Sequence, residues 1–101
     1  IDFSQPAAAV YNLIRAVAPP YPGAFTDIGG RRFIVARARR IEPSSVPAGL
    51  KPGLHVVDGR IVAVGGDGGA IRVTQLLEGP NADNASPVSV QVFQNIITAK
   101  S

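Results

Sequence analysis

The chain is 101 residues long, 46% apolar and 17% charged, with no cysteine and a single histidine, His55. This length and composition fit one folded domain and exclude a disordered chain, a disulfide scaffold, a cysteine-type zinc site and a thiol nucleophile. The net charge of +3 is modest, but five of the ten basic residues fall between positions 31 and 40, which suggests either contact with nucleic acid or another polyanion, or a solvated strand end.

The chain contains no methionine and opens on Ile1, so we expect it to be part of a longer protein. No apolar run approaches the roughly 18 residues of a membrane span, and we expect no membrane partner. The first predicted element is a helix over Ser4–Val17, with Ser4 as N-cap and Pro6 in the first turn, where a missing N–H costs nothing. Its apolar residues recur at helical spacing and are predicted to be buried: Val10, Leu13, Ile14 and Val17.

Three prolines between positions 19 and 22, followed by Gly23, predict a stiff connection that fixes the direction of Tyr21. Beyond it the apolar period changes to two. Ala24–Ile28 and Arg32–Ile41 are predicted strands of a hairpin closed by Gly29-Gly30. The second strand is apolar on both faces at its start, as a strand in a barrel or under a helix would be.

After a predicted loop at 43–53, a second hairpin is expected over Leu54–Val57 and Arg60–Val64, because Asp58-Gly59 is a strong signal for a two-residue turn. The glycine-rich run at 65–69 predicts a reversal into a fifth strand, Ala70–Leu77. The last segment, opened by Ser86-Pro87, is predicted to be a helix. The fold class expected is mainly β (α+β): one domain over residues 1–101, a small open β-barrel with an N-terminal and a C-terminal helix.

Few residues in the chain carry chemistry. His55 alternates into a strand and lacks an adjacent carboxylate or nucleophile to orient it, which favours a structural role. The glycine-rich run lacks a following Lys-Ser/Thr and precedes a strand, so a hairpin turn is favoured over a phosphate loop. No catalytic triad, metal set or carboxylate pair can be assembled. The residues alone therefore predict a binding or structural module.

Four stretches of the chain, in order, carry a family resemblance. Residues 1–7 (IDFSQPA), 12–17 (NLIRAV) and 20–25 (PYPGAF) resemble the opening of the C-terminal domain of 10-formyltetrahydrofolate-dependent formyltransferases, with Phe3 in place of the usual Trp. Residues 66–73 (GDGGAIRV) are similar to a later G-D-G stretch of that family. The resemblance covers essentially the whole chain and is strongest over residues 1–26.

This resemblance implies that the chain is the C-terminal domain, an open β-barrel resembling an OB-fold, of an enzyme that moves a formyl group from 10-formyltetrahydrofolate to an amine. It implies as partner an N-terminal Rossmann-like domain of the same parent chain, which carries the formyl donor site and the catalytic Asn, His and Asp. None of the family's catalytic residues matches a position here, and His55 is not its catalytic histidine. We expect a cytoplasmic parent enzyme, and this chain alone to be inactive and to hold no cofactor or metal.

The acceptor is open between two substrate classes. The segment Arg15–Pro22 is more similar to sugar-nucleotide formyltransferases, such as those acting on UDP-4-amino-4-deoxy-L-arabinose, and the modest net charge favours the same group. The alternative is methionyl-tRNA formyltransferase, in which the barrel is basic and helps to hold the tRNA. A second alternative is a stand-alone OB-like binding module without an enzymatic role.

The residues expected to make contacts form two groups. The candidates for contact with tRNA or another polyanion are Arg31, Arg32, Arg37 and Arg39. Strand alternation puts Arg37 and Arg39 on one face and Arg40 on the other, so we expect weak, non-specific nucleic-acid contact at most. The candidates for contact with the N-terminal domain are Arg15, Tyr21 and Pro22.

Overall fold

The computed structural model describes residues 1–18, 21–42 and 46–100. Pro19 and Pro20 of the proline-rich connection, and the first three positions of the predicted 43–53 loop, lie outside the described residues. The described elements, in chain order, are α1 (Ala7–Ala16), β1 (Ala24–Ile28), β2 (Arg31–Arg40), β3 (Gly53–Val57), β4 (Arg60–Val64), β5 (Ala70–Glu78), a 3-10 turn (Ala82–Asn84), β6 (Ser86–Pro87) and α2 (Val90–Lys100).

The strands form one curled antiparallel sheet in the order β1-β2-β5-β4-β3. The long strand β5 pairs with β2 along one edge, and on its other edge with β4 near its start and with the two-residue β6 at its end. The result is a half-barrel with a helix before it and a helix after it. The predicted mainly-β open barrel with N-terminal and C-terminal helices is confirmed.

Both predicted hairpin turns are confirmed by their backbone angles. Gly29 and Gly30 have φ of 59° and 80°, and Asp58 and Gly59 have φ of 51° and 73°. Positive φ at both central residues defines the type I′ turn, whose twist matches that of the flanking antiparallel strands. The turn geometry accounts for Asp58 without a catalytic role.

Both helices begin later than the serine-containing motifs predicted. Helix α1 starts at Ala7, and Pro6 in the N-cap position has no side-chain hydrogen bond to cap it; the hydroxyl of Ser4 instead donates to Asp2 Oδ1 at 2.5 Å. Ser86-Pro87 is strand β6, and α2 starts at Val90. Ser89, which precedes α2, accepts a hydrogen bond from the Val92 N–H through its hydroxyl, as an N-cap does.

The main core lies between the sheet and the two helices. Phe33 of β2 and Phe93 of α2 are fully buried and meet edge to face, with ring centroids 5.4 Å apart and an interplanar angle of 84°. This is the geometry that aromatic pairs favour. The residues that α1 buries are Ala7, Val10 and Ile14. Leu13 lies at the edge of that stripe and is 41% exposed, so its predicted burial is wrong.

A smaller apolar cluster covers the other side of β2 and is formed by Ile34, Ala36 and Leu77. Gly23 approaches it so closely that a Cβ at that position would overlap the Ile34 side chain. The carbonyl of Pro22 accepts a hydrogen bond of 3.1 Å from the N–H of Ala82 in the 3-10 turn. The end of the proline-rich connection and the 3-10 turn therefore meet over this cluster, which explains why β2 is apolar on both faces at its start.

Candidate functional site

Two of the four candidate polyanion contacts form ion pairs within the domain. Arg31 donates from Nε and Nη2 to the Glu78 carboxylate at 2.5 and 2.7 Å. Arg32 donates from Nε and Nη2 to Asp27 at 2.9 and 3.2 Å, and its Cζ lies 3.9 Å from the centroid of the Phe25 ring. Both pairs are bidentate, the strongest geometry for arginine and a carboxylate.

This pairing changes the proton affinity of all four groups. The hydrogen bond from Arg31 lowers the pKa of Glu78, and that from Arg32 lowers the pKa of Asp27. The same contacts raise the pKa values of the two arginines. The pairs are exposed, so each stabilises the fold only modestly. The carboxylates nevertheless neutralise the charge of both guanidinium groups and occupy their Nε and Nη2 donors, so each attracts a phosphate less strongly than an unpaired arginine does.

Arg37 lies where the pairing of β2 with β5 is irregular. The register shifts between Val35 and Arg37 and again between Arg37 and Ala38. Irregularities of this kind re-aim side chains and break the alternation of faces along a strand. Arg37 lines a groove beside α1, whereas Arg39 lies opposite Arg72 of β5 and does not line that groove. Simple alternation therefore does not decide where these two arginines lie.

The groove between α1 and the irregular part of β2 and β5, called the α1 groove below, has a volume of about 730 Å³. Its apolar lining includes Ile14, Ala36, Ala38 and Leu77. Its polar lining consists of Tyr11, Arg15, Arg37, Thr74 and Gln75. No Asp or Glu of the described residues lines it. Most of the surface that this open groove exposes is polar, and its volume lies within the range of small-molecule sites.

Two guanidinium groups approach the ring of Tyr11. The Cζ of Arg15, one helical turn further along α1, lies 5.7 Å from the ring centroid, and the Cζ of Arg40 from β2 lies 5.3 Å from it. Both distances are within the range of cation–π attraction. These contacts connect the exposed face of α1 to the far end of β2 and bring a third cation close to the α1 groove.

Six of the eight arginines that the structure describes have no ion pair with another described residue. They are Arg15, Arg37, Arg39, Arg40, Arg60 and Arg72. Arg15 and Arg37 line the α1 groove, and Arg40 contacts its Tyr11. The other three are not among the residues that line it.

The residues expected to contact a neighbouring domain lie at the surface. Tyr21 is 63% exposed, and Arg15 and Pro22 are also exposed. They belong to the second half of α1 and to the connection that follows it. These side chains are therefore accessible to a partner, as the predicted contact requires.

The glycine-rich run at 65–69 is a tight reversal that also holds the start of α1. The Gly65 N–H donates to the Gly69 carbonyl at 2.8 Å. Asp67 Oδ1 accepts from the Gly69 N–H at 3.0 Å and from the Ala7 N–H, the first of α1, at 3.1 Å. These two backbone donors lower the pKa of Asp67. A carboxylate at a helix N-terminus complements the helix dipole, so the turn stabilises the start of α1.

Close backbone contact accounts for two glycines of this turn. The Gly66 N–H donates to the Gln5 carbonyl at 2.8 Å. A Cβ at Gly65 would overlap backbone atoms of Gln5 and Ala7, and one at Gly66 would overlap the backbone of Ser4. The glycines let the segment before α1 lie directly on the turn between β4 and β5.

His55 has a local structural role. Its Nε2 lies 2.6 Å from the Lys51 carbonyl, and because a carbonyl only accepts, that nitrogen donates. Among the residues that the structure describes, no group of three or more His, Cys, Asp or Glu is placed to hold a metal ion. Neither described helix has the length and hydrophobicity that crossing a bilayer requires.

A comparison with known families gives a match that covers most of the chain. The sequence model of the formyl transferase C-terminal domain matches residues 1–88. The chain belongs to this family. The match includes the half-barrel, α1 and the turn that caps it, which confirms the resemblance carried by the sequence motifs. It ends just before α2, although Phe93 of that helix is fully buried in the core of this formyltransferase domain.

Tyr11 and Gln75 were not among the candidate contacts predicted from the sequence. Arg40 was predicted to lie on the opposite face of the strand from Arg37 and Arg39. A signal existed for Tyr11, because it lies four residues before Arg15 and two such positions share one face of a helix. No local signal existed for the groove itself. It depends on the register shifts between β2 and β5, which join residues nearly 40 positions apart.

Proposed function

We propose that this formyltransferase C-terminal domain belongs to an enzyme that moves a formyl group from 10-formyltetrahydrofolate to the amine of an amino-sugar nucleotide, of the UDP-4-amino-4-deoxy-L-arabinose type. The donor site and the catalytic Asn, His and Asp belong to a Rossmann-like N-terminal domain of the same parent chain. The domain described here is non-catalytic and docks beside that site through the exposed Tyr21 and Pro22. A cytoplasmic location is part of the same proposal and follows the family resemblance.

The observation that carries the choice of acceptor is the pairing of Arg31 and Arg32 with carboxylates of the domain itself. A face that holds tRNA needs free cations that follow the phosphate backbone, because counterion release supplies most of the affinity. At the tip of the β1–β2 hairpin, Glu78 and Asp27 already neutralise both arginines. The basic strand is therefore interrupted where a long polyanion would have to continue.

Methionyl-tRNA is the second candidate acceptor, and the state of Arg37 and Arg39 favours it. Both side chains are exposed and have no ion pair among the described residues. Two neutralised phosphates would give a log–log salt dependence with a slope of roughly −1.4 to −1.8, which corresponds to a weak contact.

The test uses the full-length parent protein, in which this chain is joined to its N-terminal domain. The protein is incubated with 10-formyltetrahydrofolate and either UDP-4-amino-4-deoxy-L-arabinose or methionyl-tRNA, and the formylated product is detected by mass. We expect formylation of the sugar nucleotide only. Formylation of the tRNA only would move the parent enzyme to the second candidate, and formylation of neither would overturn the proposed reaction.

A matched control is the 101-residue chain under the same conditions. We expect no formyl transfer from this chain to either acceptor, because the donor site and the catalytic residues are proposed to lie in the N-terminal domain. Turnover by the chain alone would contradict the non-catalytic role.

A further inference from the structure

We propose that the α1 groove is a binding site for a small organic phosphate, with Arg15 and Arg37 as the residues that hold its phosphoryl groups. The ligand class is a molecule that carries one or two phosphates on a larger polar body, such as a nucleoside. The site lies within this domain and does not depend on which acceptor the parent enzyme uses. In this proposal Arg15 binds a ligand, whereas from the sequence it was expected to contact the N-terminal domain.

The size of the groove defines the class of ligand. A volume of about 730 Å³ lies well within the range of small-molecule sites, roughly 300–1,000 Å³. It exceeds what an inorganic phosphate would fill. Ile14, Ala36 and Leu77 form the almost fully buried floor of the groove, so the remainder of the ligand would contact mainly the side chains of Tyr11, Thr74 and Gln75.

The charge of the groove defines the chemistry that it recognises. Arg15 comes from α1 and Arg37 from β2, so two separate elements each contribute one cation, and no carboxylate among the described residues neutralises them. Guanidinium groups present planar pairs of N–H donors that match phosphate oxygens. Two unpaired arginines in one groove therefore favour a ligand that carries at least one phosphate with two negative charges.

The surroundings of the two arginines hold them near the groove. The guanidinium groups of Arg15 and Arg40 both lie within cation–π distance of the Tyr11 ring. These contacts hold Arg15 beside the groove. The register shifts on both sides of Arg37 set it beside α1, together with Thr74 and Gln75 of β5 as further hydrogen-bonding groups. Bulges of this kind are common next to binding sites.

The test is a titration of the 101-residue chain with three probes, followed by isothermal calorimetry and by amide chemical shifts. UDP supplies phosphates on a nucleoside body, pyrophosphate supplies phosphates alone, and uridine supplies the nucleoside alone. We expect saturable submillimolar binding of UDP, weaker binding of pyrophosphate and no binding of uridine, with shifts in α1 and in the irregular part of β2. An absence of saturable UDP binding up to about 10 mM, or equal affinity for UDP and pyrophosphate, would overturn the proposal.

Charge-matched variants separate a site from general attraction. Arg15→Gln and Arg37→Gln are each expected to weaken UDP binding roughly tenfold, which is the loss of a charge-assisted hydrogen bond to an exposed group. Arg60→Gln removes the same charge from an exposed arginine that does not line the groove, and is expected to change the affinity less than about twofold. An equal loss in Arg60→Gln would overturn the proposal.

An RNA ligand is the competing outcome of the same experiment. Titration with an RNA hairpin decides it, because binding of RNA through Arg15 and Arg37 without saturable binding of UDP would replace the small phosphate by a nucleic acid and overturn the proposal. The outcome is independent of the acceptor assay, since the chain is tested without its catalytic domain. Failure of this inference leaves the proposed formyl transfer standing, and failure of that reaction leaves this site standing.

Discussion

The two ends of α1 use their polar groups in opposite ways. At the N-terminal end, the Ala7 N–H donates to Asp67, and the backbone just before the helix lies on Gly65 and Gly66 without room for a side chain. At the other end of the helix, Arg15 has a ring contact but no ion pair among the described residues, and it borders an open groove. One end is closed by internal partners, and the other is left open.

The charged groups of this domain fall into the same two kinds, paired and unpaired. Arg31, Arg32 and Asp67 have partners within the fold, and each holds two segments of the chain together. Arg15 and Arg37 lie within the described residues without such a partner. A charge that is neutralised internally stabilises the structure, whereas a charge left unpaired beside a groove is available to a ligand.

The largest effect on stability is expected at the N-terminal end of α1, where the packing leaves no space for an added side chain. Gly65 is buried, and a Cβ there would overlap the backbone of Gln5 and Ala7, which a side-chain rotation cannot relieve. We expect Gly65→Ala to lower the free energy of unfolding by about 3 kcal/mol, measured by urea denaturation.

Gly68 of the same turn supplies the control, because a Cβ there meets nothing within 4 Å and only its φ of 82° is unfavourable for alanine. We expect Gly68→Ala to lower the free energy of unfolding by about 1 kcal/mol. If the two variants lost the same stability, the segment before α1 would not be held against the turn, and the contrast between the ends of the helix would fail.

A smaller effect is expected for the charge that caps α1. Because the Gly69 and Ala7 N–H groups lower the pKa of Asp67, its stabilising contribution is present above the ordinary aspartate value of 3.8 and is lost as the pH falls through the lowered pKa. Asp67→Asn should therefore be less stable than the parent chain near pH 7, and this difference should shrink as the pH falls below 3.8 towards the lowered pKa of Asp67. Thermal unfolding over this pH range measures it.

Other carboxylates of the chain also titrate in acid, so the difference between the two proteins is the quantity to follow. The hydrogen bonds from Ser4 lower the pKa of Asp2, and those from the two paired arginines act likewise on Asp27 and Glu78. These groups are the same in both proteins. A stability difference that stayed constant from neutral to acid pH would contradict the role of the Asp67 charge.

Local patterns in the sequence predicted the strands of this fold well. β1 and β4 occupy the predicted residues, and β3 and β5 differ from the prediction by one residue at one end. These strands are bounded by turns whose glycines and aspartate dictate the backbone angles. The apolar period of a strand and the residues of its turns are both local features. They can therefore be identified directly from the sequence.

The starts of the two helices were predicted less well, because contacts with distant parts of the chain determine where each helix begins. The cap of α1 is supplied by Asp67, which is 60 residues away, while the nearby Ser4 bonds to Asp2. The predicted start of α2 at Ser86-Pro87 is instead paired with β5. At α1 a distant carboxylate replaced the local cap, whereas at α2 the pairing with β5 displaced the start of the helix to Val90, where Ser89 caps it locally.

The candidate site was predicted only in part for the same reason. The cluster of arginines on β2 is visible in the sequence, but the partner of Arg31 is Glu78, 47 residues further along. The pairing removes Arg31 and Arg32 from the accessible charges, and the register shifts bring Arg37 to the α1 groove. Composition gives the number of cations, and only the folded sheet sorts them into paired and unpaired.

The measurement that tests this account most directly is the UDP affinity of Arg31→Gln and Arg37→Gln, two variants that remove the same charge from the same strand. We expect a roughly tenfold loss for Arg37→Gln and less than about twofold for Arg31→Gln, because Glu78 already neutralises the Arg31 guanidinium. Equal losses, or a larger loss for Arg31→Gln, would contradict the claim that the unpaired arginines form the site.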